Sequence, residues 1–146
     1  PYTTLFRSYQ AITFGRAERN PVLTCEETVI PIQDEMVVLG ITIDNKLKFE
    51  GQIRKICRKV NQQVAALNHL KKILPFELRI DIYCAFIALH FNYCSESWHH
   101  CGKRGSGKLE KVNERALRFV ARDKSTTYEM LLKQVNLLSP LNQRIV

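Results

Sequence analysis

The stretch that decides the fold is "MVVLGITIDNKLKFEGQIRKICRKV", residues 36–60. Its apolar period changes partway along. Val37, Leu39, Ile41 and Ile43 alternate with Val38, Gly40, Thr42 and Asp44, which predicts a half-buried strand with two distinct faces. Gly40 in mid-strand weakens a sheet unless another backbone must come close or a bulge is needed. Asp44, Asn45 and Lys46 then carry turn chemistry. Beyond the turn Ile53, Ile56, Cys57, Val60, Val64, Leu67, Leu70 and Leu74 recur at steps of three and four, and Arg54, Lys55, Arg58 and Lys59 fall on the opposite side. A strand region that gives way to a basic amphipathic helix is therefore expected.

Toward the N-terminus, "QAITF" (10–14), "VLTC" (22–25) and "TVIPI" (28–32) are short apolar runs separated by polar and Pro-containing breaks, again strand-like. Residues Pro1 to Ser8 match, letter for letter, one translation frame of a widely used sequencing-library adapter, and are set aside as an expected assembly scar. Toward the C-terminus, Pro75 is expected to end the first helix and open a second, over about Phe76 to Tyr93. That segment is apolar on almost every side and predicts the central helix. "CGKRGSGK" (101–108) reads as a Gly-rich linker, and a third helix follows with Leu109, Val112, Ala116, Phe119 and Val120 on its core face. Thr126 and Glu129 have capping-box spacing for a fourth, and Ser139-Pro140 opens a fifth, inside which the sequence stops at Val146. The fold class expected is α+β, mainly α: a small antiparallel N-terminal strand region, then a bundle of about four to five helices.

The charge is unevenly placed. The chain has a formal net charge of +8, and between Lys46 and Arg79 nine cations face only Glu50 and Glu77, a local net charge of +7. A second stripe, Lys108, Lys111, Arg115, Arg118 and Arg122, recurs at helical spacing on the third helix. Cations gathered on a folded surface repel one another unless a polyanion neutralises them, so two stripes point to phosphate-backbone binding without base specificity. A basic amphipathic helix over Gln52 to Leu74 also suits a calmodulin-type partner or a membrane surface, the competing use of that segment.

Catalytic patterns are missing from the sequence. Asp34, Asp44, Asp81 and Asp123 are scattered, and there is no phosphate-cradling Gly loop, nucleophile elbow or zincin helix, so no catalytic residue, metal ligand or small-molecule ligand is assigned. "CSESWHHC" (94–101) places Cys94, His99, His100 and Cys101 close together, but lacks the paired arms of a zinc finger. The alternative there is that Tyr93 and Trp98 pack on the core with the two histidines at the helix exit. His69 and His90 read as satisfied core or edge residues. The five cysteines are odd in number and lie mostly in apolar surroundings, which predicts reduced core thiols of an intracellular protein. "IYCAFIALHFNYC" (82–94) is too short to span a bilayer.

The order of "FG" (14–15), "VVLGITIDNKLKFEGQIRKICRKV", "AFIALHFNYCSESWHHC" and "KLEKVNERALRFVARDKSTTYEMLL" resembles the C-terminal part of non-LTR (LINE-type, jockey-like) retrotransposon reverse transcriptases, over essentially Tyr9 to Val146. The resemblance implies that residues 9–46 end the palm with a primer-grip-like hairpin, 47–102 form thumb helices and 103–146 form a truncated post-thumb segment. It implies that Leu39, Gly40, Ile41, Thr42, Ile43 and Asp44 form a primer-grip-like strand, with Gly40 letting the nucleic-acid backbone approach. Arg54, Lys55, Arg58 and Lys59 would face the template-primer duplex. The aspartate motifs that hold two Mg2+ ions in such polymerases lie upstream of this stretch, so the expected activity, RNA-directed DNA polymerisation in a eukaryotic nucleus and cytoplasm, belongs to a parent protein and not to this piece. The alternative is a standalone, non-enzymatic helical module derived from a retroelement, which binds nucleic acid or protein.

Overall fold

The computed structural model describes residues 9–15, 22–25, 28–98, 101–122 and 126–134. The adapter-like residues Pro1 to Ser8, the pair His99 and His100, Asp123 and the helix expected at Ser139 lie outside them. Within the described residues the fold is as expected in class: a small antiparallel strand region at the N-terminus, then a mostly helical bundle.

Two hairpins form the strand region. Strand β1 (Leu23–Cys25) pairs with β2 (Thr28–Ile30), and β3 (Glu35–Val38) pairs with β4 (Ile41–Asp44). "QAITF" contributes only a single bridge, with the Gln33 N–H donating to the Ala11 carbonyl at 2.8 Å. Val37 to Asp44 is not the single strand expected from its alternation. Leu39 (φ 48°) and Gly40 (φ 83°) both have positive φ and make a two-residue turn, so the chain reverses where a continuous strand was expected. Both positive values suit the twist of a tight hairpin, and glycine is there because its backbone takes that conformation without strain. The reversal also changes the faces. Val38 pairs with Ile41 and Met36 with Ile43, so Val37 lies opposite Ile41 and Ile43 instead of beside them.

Helix α1 (Glu50–Asn68) buries Ile53, Ile56, Val60 and Val64, as the spacing predicts. Each such side chain contributes about 1.5–3 kcal/mol when fully removed from water. The helix ends at Asn68, well before Pro75, and residues 69–74 form a turn that leaves Leu70 exposed. Helix α2 (Phe76–Ile82) continues through a π-helical stretch (Tyr83–Ala88) into α3 (Leu89–Asn92), and one helical turn, α4 (Ser95–Trp98), follows. The second helix is not central. It buries Arg79, Tyr83, Ile87, Ala88 and Phe91, but Leu78, Phe86 and Leu89 are exposed.

The hub is instead α5 (Lys103–Ala121), which packs against α1, α2, the π-helical stretch and α6 (Tyr128–Gln134). Its buried set contains every expected core residue of the third helix, together with Asn113 and Leu117. The Gly-rich "linker" is its first turns. A Cβ on Gly105 would lie 2.5 Å from Ile53 Cδ1, so the glycine lets α5 approach α1 where any side chain would collide. Asn113, fully buried, ties the bundle together: its Oδ1 accepts from the Tyr83 hydroxyl at 2.6 Å, and its Nδ2 donates to the Tyr128 hydroxyl at 2.9 Å. Tyr128 in turn donates to Glu110. Burial is the largest cause that raises both phenols above their usual range, so they stay neutral donors.

The thiols are less uniform than expected. All five are free, but only Cys101 is buried, while Cys84 and Cys94 are exposed.

Candidate nucleic-acid interface

The basic run of α1 is divided by its own helical twist. Arg54 and Arg58 are exposed on the side that meets α5, where Arg115 Nη1 donates to Asn61 Oδ1 at 3.3 Å. Cys57 lies between the two helices. Burial pushes its thiol up, and the charges of Lys108 and then Arg115 partly offset that. Lys111 follows Lys108 on the same exposed stripe. Arg54, Arg58, Lys108, Lys111 and Arg115 thus edge one surface across the α1–α5 seam. Arg54 also approaches Glu35 at 3.8 Å, an exposed pair that holds it weakly.

The end of the second stripe does different work. Arg118 pairs with Glu114 at 2.6 Å. Arg122 donates to the carbonyls of Lys71 at 2.6 Å and Leu74 at 3.0 Å, and buried Arg79 donates to the same Leu74 carbonyl at 3.1 Å. Lys71 Nζ returns a bond to the Arg118 carbonyl at 2.7 Å. Of the cations counted from sequence as surplus charge, Lys71, Arg79 and Arg122 are therefore bonded around the 69–74 turn, and Arg118 is paired within α5. Burial, then the charge of Arg122, pushes the Arg79 guanidinium below its ordinary value. Sequence spacing could not separate these from the others, because i, i+3 and i+4 positions record a face and not what lies opposite it.

Lys59 turns to the other side of α1, and Lys55, which also borders a recess with Arg54 and Arg58, reaches toward it. With Gly40, Gln52, Ile56, Leu89, His90 and Tyr93 they line a cavity of about 330 Å³. The hairpin tip closes one end: Lys55 Nζ donates to the Gly40 carbonyl at 2.8 Å, and the Tyr93 hydroxyl donates to the Leu39 carbonyl at 2.7 Å. Tyr93 is half exposed rather than packed in the core, while Trp98 is fully buried, with its indole N–H on the Tyr93 carbonyl. His90 is not a satisfied residue either. Its Nε2 is buried without a hydrogen-bond partner among the described residues, an arrangement that costs about 1–3 kcal/mol. Burial, then the charge of Lys59, pushes its imidazole below the usual histidine range.

The primer-grip-like segment is held from within. Leu39 is 84% exposed and Ile41 is buried. The Thr42 N–H donates to the buried Gln52 Oε1 at 3.1 Å. The Asp44 carboxylate accepts from the N–H groups of Lys46 at 3.1 Å, Lys48 at 3.0 Å and Phe49 at 2.5 Å, so it knits the 44–49 loop and stands at the positive start of α1. Tyr93 is the neighbour closest to Gly40, 3.9 Å from where a Cβ would stand, so the contact that Gly40 receives in this structure is from the chain itself.

These carboxylates do not fit a two-magnesium site. Asp44 is used by the loop, Asp34 Oδ1 accepts from Asn45 Nδ2 at 2.8 Å, and Asp81 is exposed on another helix. Among the described residues no three His, Cys, Asp or Glu side chains are placed to share a metal ion. No described helix is long and apolar enough to cross a membrane. No family model matches the chain, no curated protein is found similar to it, and no solved structure matches its fold.

Proposed function

We propose that the chain binds nucleic-acid duplex through the sugar-phosphate backbone, as the palm end and thumb of a non-LTR retrotransposon reverse transcriptase, and that this piece alone does not extend a primer. The observation that carries this reading is the meeting of two stripes far apart in sequence, Arg54 and Arg58 with Lys108, Lys111 and Arg115, on one exposed surface. Isolated surface cations are commonplace, but a seam that gathers five of them across two helices is a polyanion-binding feature. Contacts of this type set register on a duplex and read no bases. In this reading the catalytic aspartates and their Mg2+ ions belong to a parent polymerase, and the template-primer hybrid is the partner.

The test is binding of a primed template across a salt series, read by fluorescence anisotropy, for the native chain and a variant carrying Arg54→Ala, Arg58→Ala, Lys108→Ala and Lys111→Ala. Each lost phosphate contact lowers the log-log salt slope by about 0.9, so the variant should lose a slope of up to about 3.6. An unchanged slope would remove the α1–α5 seam as the interface.

A further inference from the structure

The cavity behind the hairpin tip has features that the duplex surface does not use. Its two lysines project from successive turns of α1, and Lys59 has no carboxylate partner among the described residues. The His90 ring forms part of the same wall. Lys55 spends one of its three N–H donors on the Gly40 carbonyl, which fixes its ammonium and leaves two for another acceptor. Leu89 and Ile56 supply an apolar wall, and Tyr93, half exposed, is held in place by its hydroxyl bond to Leu39.

We propose that this cavity is a site for a phosphate monoester carried on a single nucleotide unit: Lys55 and Lys59 hold the phosphate beside the His90 ring, and Tyr93 with Leu89 receives the sugar and base. A dianion there would meet two ammonium groups beside the His90 ring, in a partly desolvated place where charge-assisted bonds are strong. At about 330 Å³ the space is at the lower end of the roughly 300–1,000 Å³ of ligand pockets, which suits one nucleotide and no more. A half-exposed aromatic ring is a sequence-tolerant platform for a base. The two sources of such a group are a free nucleoside monophosphate and the phosphorylated end of a strand. The site uses none of Arg54, Arg58 or the α5 cations, so it stands or falls separately from the duplex surface.

The titratable groups that face His90 are Lys59 and Lys55 from α1 and the Tyr93 phenol; Gly40, Gln52, Ile56 and Leu89 complete the wall without charge. A bound dianion therefore favours the imidazolium, and His90 takes up a proton more readily in the complex than in the free protein.

The experiment follows the side-chain resonances of His90 by NMR in the full chain, assigned with His90→Gln, during titration with AMP, adenosine, and oligonucleotides with a 5′-phosphate or a 5′-hydroxyl. Expected is a saturable shift with AMP, with the 5′-phosphorylated strand, or with both, together with a raised His90 pKa and no response to adenosine or the 5′-hydroxyl strand. Response to AMP alone identifies a free nucleotide, and response to the phosphorylated strand alone identifies a strand end. Lys59→Ala should weaken the response about tenfold or more, the loss expected for one hydrogen bond to a charged group. Since Lys59 is exposed, the variant should keep the native spectrum elsewhere. A silent His90 in every arm, an equal response to adenosine, or undiminished affinity in Lys59→Ala would each overturn the site. The duplex salt slope measured on the same samples reports the α1–α5 surface independently.

Discussion

Two glycines in the first turns of α5 make a controlled experiment on how this bundle is assembled. Both Gly105 and Gly107 are helical, and replacing a helix-interior glycine by alanine normally stabilises by about 1 kcal/mol. At Gly107 a Cβ meets nothing within 4 Å, so Gly107→Ala should show that gain in full. At Gly105 the Cβ would stand 2.5 Å from Ile53 Cδ1 and 3.4 Å from Cys101 Cβ, whereas carbon atoms in contact sit about 3.5–4.0 Å apart. Ile53 is 2% exposed and has packed neighbours to displace before its terminal methyl can move aside. Overpacking of this kind costs about 1–3 kcal/mol, which exceeds the helix gain, so Gly105→Ala should be destabilised by about 1 kcal/mol. The two variants should then differ by about 2 kcal/mol with opposite signs in urea denaturation. Ile53→Val removes the colliding methyl, and although it costs about 1 kcal/mol alone, it should make Gly105→Ala stabilising in its background. If Gly105→Ala stabilises the native chain as Gly107→Ala does, close approach of α1 and α5 is not what the glycine provides.

Other outcomes follow from the same contacts. Asp44→Ala leaves three backbone N–H groups without their carboxylate and should cost about 2–3 kcal/mol in urea denaturation, with Asp44→Asn losing about half as much because its amide oxygen still accepts. Arg122→Ala should loosen the 69–74 turn at a cost of at most about 1 kcal/mol and leave the duplex salt slope where it was; a reduced slope would put Arg122 on the duplex surface after all. His90 is held below its ordinary pKa by burial and by Lys59, so near and below a pH of about 6.5 the unfolded chain binds the proton more readily than the folded one. The His90 contribution is therefore complete above about pH 6.5 and is lost as pH falls from there toward the folded value. His90→Gln should flatten that part of the stability profile, and a profile of unchanged shape would argue against the buried imidazole.

What was readable in the residues was whatever depends on spacing within one element. The faces of α1 and α5 followed from steps of three and four, because a helix repeats on itself whatever surrounds it. The mixed class, the turn at Asp44 and the basic character of both helices needed no knowledge of the partners. Alternation was less reliable: "MVVLGITID" alternates whether it runs straight or reverses at Leu39-Gly40, and only the pairing of β3 with β4 against α1 selects the reversal. Glycine was equally ambiguous, since "KRGSGK" reads as a linker until Ile53 is found against Gly105.

Sequence by itself determined which side chains are cationic, which are apolar and how each repeats along its own helix, since these are local properties of the chain. Tertiary structure alone decided that α5 and not the most apolar helix is the hub, and that Arg79, Arg118, Arg122 and Lys71 bond within the fold while Arg54, Arg58, Lys108, Lys111 and Arg115 share an open seam. It alone set Lys55 and Lys59 beside a histidine some thirty residues away. The physical reason is that a charge or an apolar group acquires its role from what is packed opposite it, and opposition across a core is fixed by helix packing rather than by spacing along one helix.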